Sequence, residues 1–514
     1  MEKKNILTAM LLVLALISVS CNDWLDVQQD TEKKADEMFD DYSGFKGALA
    51  GCYADLSGAD LYGTRLTMSD VECLAGLWYI DPSRDLSETL LADNALTNHA
   101  YSNTYALDAI KSIYGAFYNV ILESNLILEG CREKSNHIPD ARIRALVEGE
   151  AYAIRALCQF DVLRLFGQLP TGATQQVSLP YSFTTSLEEV PAYYSYDEYL
   201  ALLENDIEQA LVLMKDNDPL FEYTYQELNT LSGTGAGDLS ITDDFVTNRH
   251  LRMNYWAVKA LQARFYLYTG QKELAYAAAM EVIDAKTANG SPIIQLSSME
   301  DYGGDGVKYT SESECLFGLW IEDLYSLSAP LLAGGNATGS NAMNVDLSNN
   351  LVLTTTWYND LFAGTNPATD IRYAKMWSQT RGVSSTTVYP SIRKYYVDNL
   401  ADDVNVEGVV PVLRLSEVYL IAVETAPTLA AANSLYEEYM LSKGVALHEP
   451  FAAPETIVPE LEQEYRREFF AEGQVFYFYK RHQITQMWSK PSVEITESDY
   501  ILPLPNTEFN PNEN

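Results

Sequence analysis

His250-Leu-Arg-Met-Asn-Tyr-Trp-Ala-Val-Lys-Ala-Leu-Gln-Ala-Arg-Phe-Tyr-Leu-Tyr-Thr-Gly270, continued by Gln271-Lys-Glu-Leu-Ala-Tyr-Ala-Ala-Ala-Met-Glu-Val-Ile-Asp284, decides the fold of this chain. Tyr255, Val258, Leu261, Phe265 and Tyr268 recur at three- and four-residue spacing, which predicts a helix over 250–268 with an apolar face. Gly270 breaks it, and a second helix is expected over 272–284, with Ala275, Ala279 and Val282 on its stripe. Small Ala263 and Ala275 lie on either side of the tight turn, so two antiparallel helices can approach closely there. That spacing is the one found in a tetratricopeptide-type hairpin. A lone hairpin leaves a face uncovered and needs neighbours to stack on.

The flanking sequence supplies them. Helical periodicity is read from Tyr42 to Leu56, Tyr105 to Glu129, Asp140 to Phe166, Ser195 to Lys215, Leu413 to Thr425 and Pro459 to Lys480. Asp140 suits the cap of its helix and Gly167 its stop. Two stretches read differently. Residues 57–100 are irregular, broken by Gly58, Gly63, Gly76 and Pro82. Residues 286–410 are rich in Gly, Ser, Asn and Thr and lose the helical period, and a long irregular region in a helical protein is usually functional. Gly233, Gly235 and Gly237 lie in a connector over 229–243 but lack the lysine of a phosphate-binding loop. The prolines of Ile501-Leu-Pro-Leu-Pro505 predict an extended tail.

With 34 basic against 72 acidic side chains the formal charge is −38, which repels phosphate backbones and argues against nucleic-acid binding. Five histidines and no C-x-x-C give a zinc site no support, and neither metal nor cofactor is expected. Beyond Cys21 stand Cys52, Cys73, Cys131, Cys158 and Cys315. Cys52 with Cys73 is the nearest candidate pair for a disulfide, though spacing alone does not show one, and Cys158 suits a helix core.

Residues 1–20 read as an export signal, with Glu2, Lys3 and Lys4 before an apolar run from Ile6 to Val19 and small Ser20. The run is shorter than the roughly 20 apolar residues that span a bilayer. Cys21 at its end, followed by Asn22-Asp23, makes the signal similar to that of a bacterial lipoprotein, although Ser18 stands where such signals usually carry Leu. The likeness implies cleavage before Cys21, lipidation of its thiol and a polar tether over 21–40. A single acyl chain anchors only marginally, so stable attachment takes more than one.

Five places together make the chain resemble the SusD/RagB family of outer-membrane nutrient-uptake lipoproteins. They are Cys21-Asn-Asp-Trp-Leu-Asp26; Glu150-Ala-Tyr-Ala-Ile-Arg-Ala-Leu157 with Phe166, Gly167 and Pro170; Arg252 to Gly270; Pro411-Val-Leu-Arg-Leu-Ser-Glu-Val-Tyr-Leu-Ile-Ala422; and Tyr465-Arg-Arg-Glu-Phe-Phe-Ala-Glu-Gly473 with Leu502-Pro-Leu-Pro505. Gln474 and Phe476-Tyr-Phe-Tyr479 depart from the Arg and aromatic-Asp pair usual after that Glu-Gly, and 434–447 is only loosely like its counterpart, which marks a divergent branch. The resemblance implies a mainly α SusD-like fold. Four tetratricopeptide-type hairpins (approximately 105–285 plus 411–480) would pack against an irregular ligand-binding half with short strands (57–100 and 286–410), in one body over 41–514. It implies a lipid-anchored protein on the cell surface of the outer membrane that captures glycan, or peptide in some branches. The cargo would pass to a SusC-like TonB-dependent transporter, with no chemistry done.

Sugar binding needs flat rings for apolar sugar faces and planar polar groups for hydroxyls. In the irregular stretches Trp78, Tyr79, Arg84, Trp320, Trp357, Tyr358 and Trp377 supply them, whereas Trp256 in the hairpin helix is expected in the core. Arg466, Arg467, Glu468 and Glu472, and Arg414 with Glu417, are at helical spacing and read as ion pairs that fix packing. A surface glycoside hydrolase would need two placed carboxylates, and no G-x-S-x-G, H-E-x-x-H or Cys/His nucleophile pattern is present. A helical-repeat adaptor without ligand would share the fold.

Overall fold

The computed structural model describes residues 37–224, 228, 243–247, 249–302, 309–332, 344–366, 368–382, 387–395 and 408–505. The export signal, Cys21, most of the tether and the glycine run at 233–237 lie outside the described residues.

Helices dominate, and their ends follow local chemistry. α1 (Tyr42–Leu56) is capped by Asp41, whose carboxylate accepts from Gly44 N–H at 2.9 Å. α2 (Asp70–Leu74) and α3 (Glu88–Thr97) interrupt the stretch expected to be irregular, because Ser87 caps α3 ahead of a buried Leu90–Ala95–Leu96 face. α4 (Thr104–Glu133) and α5 (Ala141–Phe166) pack together, and Asp140 caps α5 by accepting from Arg142 and Ile143 N–H. α6 (Tyr196–Met214) opens on a capping box between Ser195 and Glu198. After the single turn α7 (Asp244–Thr247) comes the hairpin α8 (Tyr255–Tyr268) and α9 (Lys272–Ile283). α8 begins five residues later than expected, because Asn254 caps it by accepting from Trp256 and Ala257 N–H.

Helix α5 is the axis of the molecule. From Glu150 to Phe166 all but Tyr152 is buried, so its charged residues need partners from neighbouring elements. Arg155 forks onto Asp206 of α6, both bonds 2.7 Å, while Glu150 receives Arg249 and Arg252 from the segment before α8. These pairs tie three parts of the helical stack together. They also explain why Glu150 and Arg155 stand in a helix that is otherwise largely apolar and buried.

The other half is built of short pieces. β1 (Leu179–Pro180) pairs with β2 (Tyr193–Tyr194), and β3 (Cys315–Ile321) with β7 (Gly408–Arg414), both antiparallel. β4 (Asn344–Val345) runs parallel to β5 (Trp377–Gly382), which pairs antiparallel with β6 (Val388–Ile392). Between them lie α10 (Leu324–Leu332), α11 (Thr355–Leu361) and α12 (Ile371–Lys375). β7 leads straight into α13 (Leu415–Thr425), which packs on α9 and on α14 (Leu429–Ser442), a helix the sequence reading missed.

The single helix expected over 459–480 is two, α15 (Ile457–Glu468) and α16 (Val475–His482). The break is a turn in which Ala471 and Gly473 take left-handed backbone angles, φ 62° and 72°. Glu72 holds it by accepting from Ala471 and Gly473 N–H, both at 2.8 Å, and Lys394 and Tyr395 bond its carbonyls. The hairpin β8 (Gln486–Met487) and β9 (Lys490–Glu494) follows. One apolar cluster runs from Phe39 to Leu504. Among the described residues no helix is long and apolar enough to cross a membrane. Cys52, Cys73, Cys131, Cys158 and Cys315 are all free and buried, so the candidate Cys52–Cys73 pair is not bridged.

Candidate functional site

Tyr79 follows the core residue Trp78 and forms an isolated antiparallel bridge with Val352. Its N–H donates to the Val352 carbonyl at 2.8 Å, and Ser87 N–H donates to the Ser348 carbonyl at 2.9 Å, so residues 79–87 lie along 348–352. Two residues past that contact Thr354 caps α11, and Trp357 stands in its first turn. The Trp357 ring lies 6.0 Å from the Tyr79 ring, edge to face, and 5.6 Å from the Trp488 ring in the β8–β9 turn. The Trp488 indole N–H donates to Asp360 of α11 at 2.5 Å, and the Arg466 guanidinium lies 5.6 Å from the same ring. Tyr79, Trp357 and Trp488 thus form a row of three half-buried rings. Their remaining faces offer flat apolar area, with the Asp360 carboxylate, which already accepts from the Trp488 indole, beside them.

Arg84 is exposed next to this row and pairs with Asp81 at 3.2 Å. The Asp81 carboxyl is held below the usual range because the Ser83 hydroxyl and N–H donate to it. Burial, with Asp81 nearby, pushes the Tyr79 phenol up, so it stays a hydrogen-bond donor.

Of the seven candidates, Tyr79, Arg84 and Trp357 gather here. Trp320 is 49% exposed but stands on β3, opposite Val409 of β7, with no ring pairing to this row among the described residues. Trp78, Tyr358 and Trp377 are core residues, and their expected role at a ligand surface gives way to packing. Trp78 is 2% exposed, donates to the Met68 carbonyl at 2.8 Å and meets Phe470 edge-on. Trp377 packs on Phe470 and Tyr358, and Tyr358 stacks on Tyr373. Nothing in the sequence marks Trp488, which follows the last helix and lies outside the two irregular stretches. Its flanking Met487 and Ser489 carry no signal.

The ion pairs also differ from the expectation. Arg414 does not meet Glu417 but reaches Glu314, Glu468 and Glu472, while Glu417 receives Arg264 of α8. Arg466–Glu462 and Arg467–Glu464 are the helical-spacing pairs. Among the described residues no group of three or more His, Cys, Asp or Glu side chains is arranged to hold a metal ion.

No family model matches the chain, and no curated protein does. Solved structures do match. A SusD superfamily protein of Bacteroides thetaiotaomicron shares 22% identity over 92% of this chain and 98% of its own, with a TM-score of 0.67. The chain has the SusD-like fold. Other SusD-like neighbours carry ligand descriptions. A laminarin-binding SusD-like protein shares 16% identity over 90% of this chain and 96% of its own, at TM-score 0.63. Surface glycan-binding protein A of Bacteroides uniformis shares 14% over the same fractions, at 0.65. At these identities the likeness shows the fold alone, so the ring row is argued from this chain's own geometry.

Proposed function

We propose that this protein is a non-catalytic capture lipoprotein of the SusD/RagB type. It would hold glycan at the cell surface and hand it to a SusC-like TonB-dependent outer-membrane transporter, tethered through lipid on Cys21. The observation that carries the reading is the half-buried row Tyr79–Trp357–Trp488, with Arg84 and Asp360 at its margin, on a fold whose solved examples include proteins described as glycan-binding. Rings in such a row can cover successive apolar sugar faces while hydroxyls point to charged groups and water. A chain of formal charge −38 favours a neutral glycan over an acidic one at low ionic strength.

The test is affinity electrophoresis of the soluble body against a panel of neutral and acidic glycans and peptides. Burying about 60 Å² of sugar face on one indole contributes ~1.5 kcal/mol, so Trp357→Ala or Trp488→Ala should weaken binding about tenfold. Retardation by glycan that each substitution weakens about tenfold supports the proposal. Retardation by peptide alone moves the ligand class, and no retardation by anything favours a structural adaptor. Release of reducing sugar from a bound glycan would overturn the non-catalytic part.

A further inference from the structure

Helix α3 carries a carboxyl that the fold leaves without a partner. Asp93 is fully buried, and neither of its oxygens accepts a hydrogen bond. α2 and α4 both pack on α3. From the α2 side Asp70, Cys73 and, just ahead of the helix, Arg65 face the Asp93 carboxyl. From Thr104 to Ile113, α4 buries only Ala106, Ala109, Ile110 and Ile113. At the C-terminal end of α3, His99 turns to the Leu74 carbonyl at 3.1 Å, and Lys490 of β9 donates to the Thr97 carbonyl and to Asn98 Oδ1.

An ionised Asp93 would have no cation of its own. Arg65 is already spent on Asp60 at 2.9 Å and on Asp70 at 2.7 Å, and the Ser69 hydroxyl donates to Asp70 at 3.0 Å. The salt bridge keeps the charge on Asp70. A second carboxylate beside it would be a buried, unpaired like charge, and keeping the proton avoids that cost. Burial and the Asp70 charge together push the Asp93 carboxyl up. A protonated carboxyl has one O–H to donate, and an Asp70 oxygen can accept it. α3 is also bracketed by the chain that carries the ring row. Ser87, its cap, donates its N–H to the Ser348 carbonyl at 2.9 Å, and Lys490, at its other end, stands two residues past Trp488.

We propose that Asp93 and Asp70 hold one proton between them and that this proton latches α3 onto α2, so that α3, and with it the Lys490 anchor of the Trp488 hairpin, loosens as pH rises. The contribution of a carboxyl raised in the folded state is fully present below its unfolded pKa and is lost as pH climbs through the folded one. The latch does not depend on what the row binds, and its failure would leave the glycan reading untouched.

The test is hydrogen exchange of the full-length protein, read on the amides of 88–97 and corrected for the intrinsic rise of exchange with pH. Opening α3 returns Asp93 to water and releases its proton, so the opening constant should grow about tenfold per pH unit from about pH 6 to 8. In Asp93→Asn the amide donates to Asp70 at every pH, and in Asp93→Leu nothing titrates, so in both variants the opening constant should stay flat. Glu72 and Glu123 are also pushed up, to about 8 and about 7, but they are common to all three proteins, so the difference belongs to Asp93. An opening constant that is independent of pH in the wild type, or that climbs equally in a variant, overturns the proposal. Should Asp93→Asn fail to fold, Asp93→Leu and the wild-type slope still decide.

Discussion

Replacing Arg414 by Met should cost this protein several degrees of thermal stability, by an amount that depends on pH in a stated direction. Arg414 donates to Glu468 at 2.7 Å, to Glu472 at 2.8 and 2.9 Å, and to Glu314, with its side chain 2% exposed. Around it Lys443 meets Glu314 and Glu468, Lys394 meets Glu472, and Arg372 meets Asp370, Glu464 and Glu468, with Arg467 also on Glu464. Counted over these buried members, five cations balance five carboxylates. Methionine fills the stem's volume but leaves one carboxylate uncompensated, and breaking a buried pair in this way costs about 3–5 kcal/mol. With an unfolding entropy of about 2.1 cal/mol/K per residue, a body of this length should lose roughly 3–5 °C in midpoint. Burial alone would raise the Glu468 carboxyl, but Lys443, Arg414 and Arg372 overcome it and hold the group well below its usual range. Its contribution is present above the unfolded carboxylate pKa and is lost as pH falls through the folded one. In the variant a carboxyl of this cluster should instead titrate above its unfolded value, so that proton uptake relieves the strain. The wild-type-to-variant gap is therefore widest at neutral pH and narrows below about pH 5. Differential scanning calorimetry across pH reads both, and adding Glu468→Gln to the variant should recover part of the loss. A midpoint unchanged at neutral pH, or a gap that widens on acidification, would refute the charge accounting.

Two other predictions follow from the same core. Gly473→Ala should abolish soluble expression, because a Cβ there would sit 1.7 Å from the Leu66 carbonyl oxygen on a backbone already at φ 72°; a folded product by circular dichroism would contradict it. The five buried cysteines should resist a thiol reagent at about pH 8 and react only after guanidinium is added, since burial pushes each thiol up, Cys131 to about 12; reaction with the native protein would show that the core opens locally.

The helical stack was legible because its signal is local. The spacing of Tyr255, Val258, Leu261, Phe265 and Tyr268, and caps such as Asp140 and Ser195, are facts about neighbouring residues, and α5, α6 and α9 begin and end within a residue of the reading. Where it failed, distant chain intervened. The break between α15 and α16 is fixed by Glu72, some 400 residues away, and only Gly473 hinted at it. α14 was missed because Leu429-Ala-Ala-Ala432 is weakly apolar and Thr428, its cap, had no periodic run to announce it. The partners of Arg414 were misread for the same reason. Spacing put Glu417 within reach, whereas the strand β7 points Arg414 toward α15 and the turn after it.

The candidate rings show how far composition can go. Trp78-Tyr79 and Trp357-Tyr358 are adjacent pairs, and in each pair one ring is core and the other is presented. Trp78 sits at a bend and is buried edge-on against Phe470, whereas the next residue, Tyr79, bridges to Val352 and stays half-buried. Neighbours on a helix diverge by about 100°, so stacking Tyr358 on Tyr373 sends Trp357 toward Tyr79. Phe470, which holds both Trp78 and Trp377, lies in the turn that Glu72 and Lys394 fasten. Trp488 reaches the row because its hairpin closes over Gly76, where a Cβ would meet Ser489 and Met487 at under 3 Å, and because Lys490 bonds the end of α3 through Asn98. Tyr79 and Trp357 are thus the outer members of pairs whose inner members belong to the core, and the buried ion network around the α15–α16 turn holds the Phe470 against which Trp78 packs.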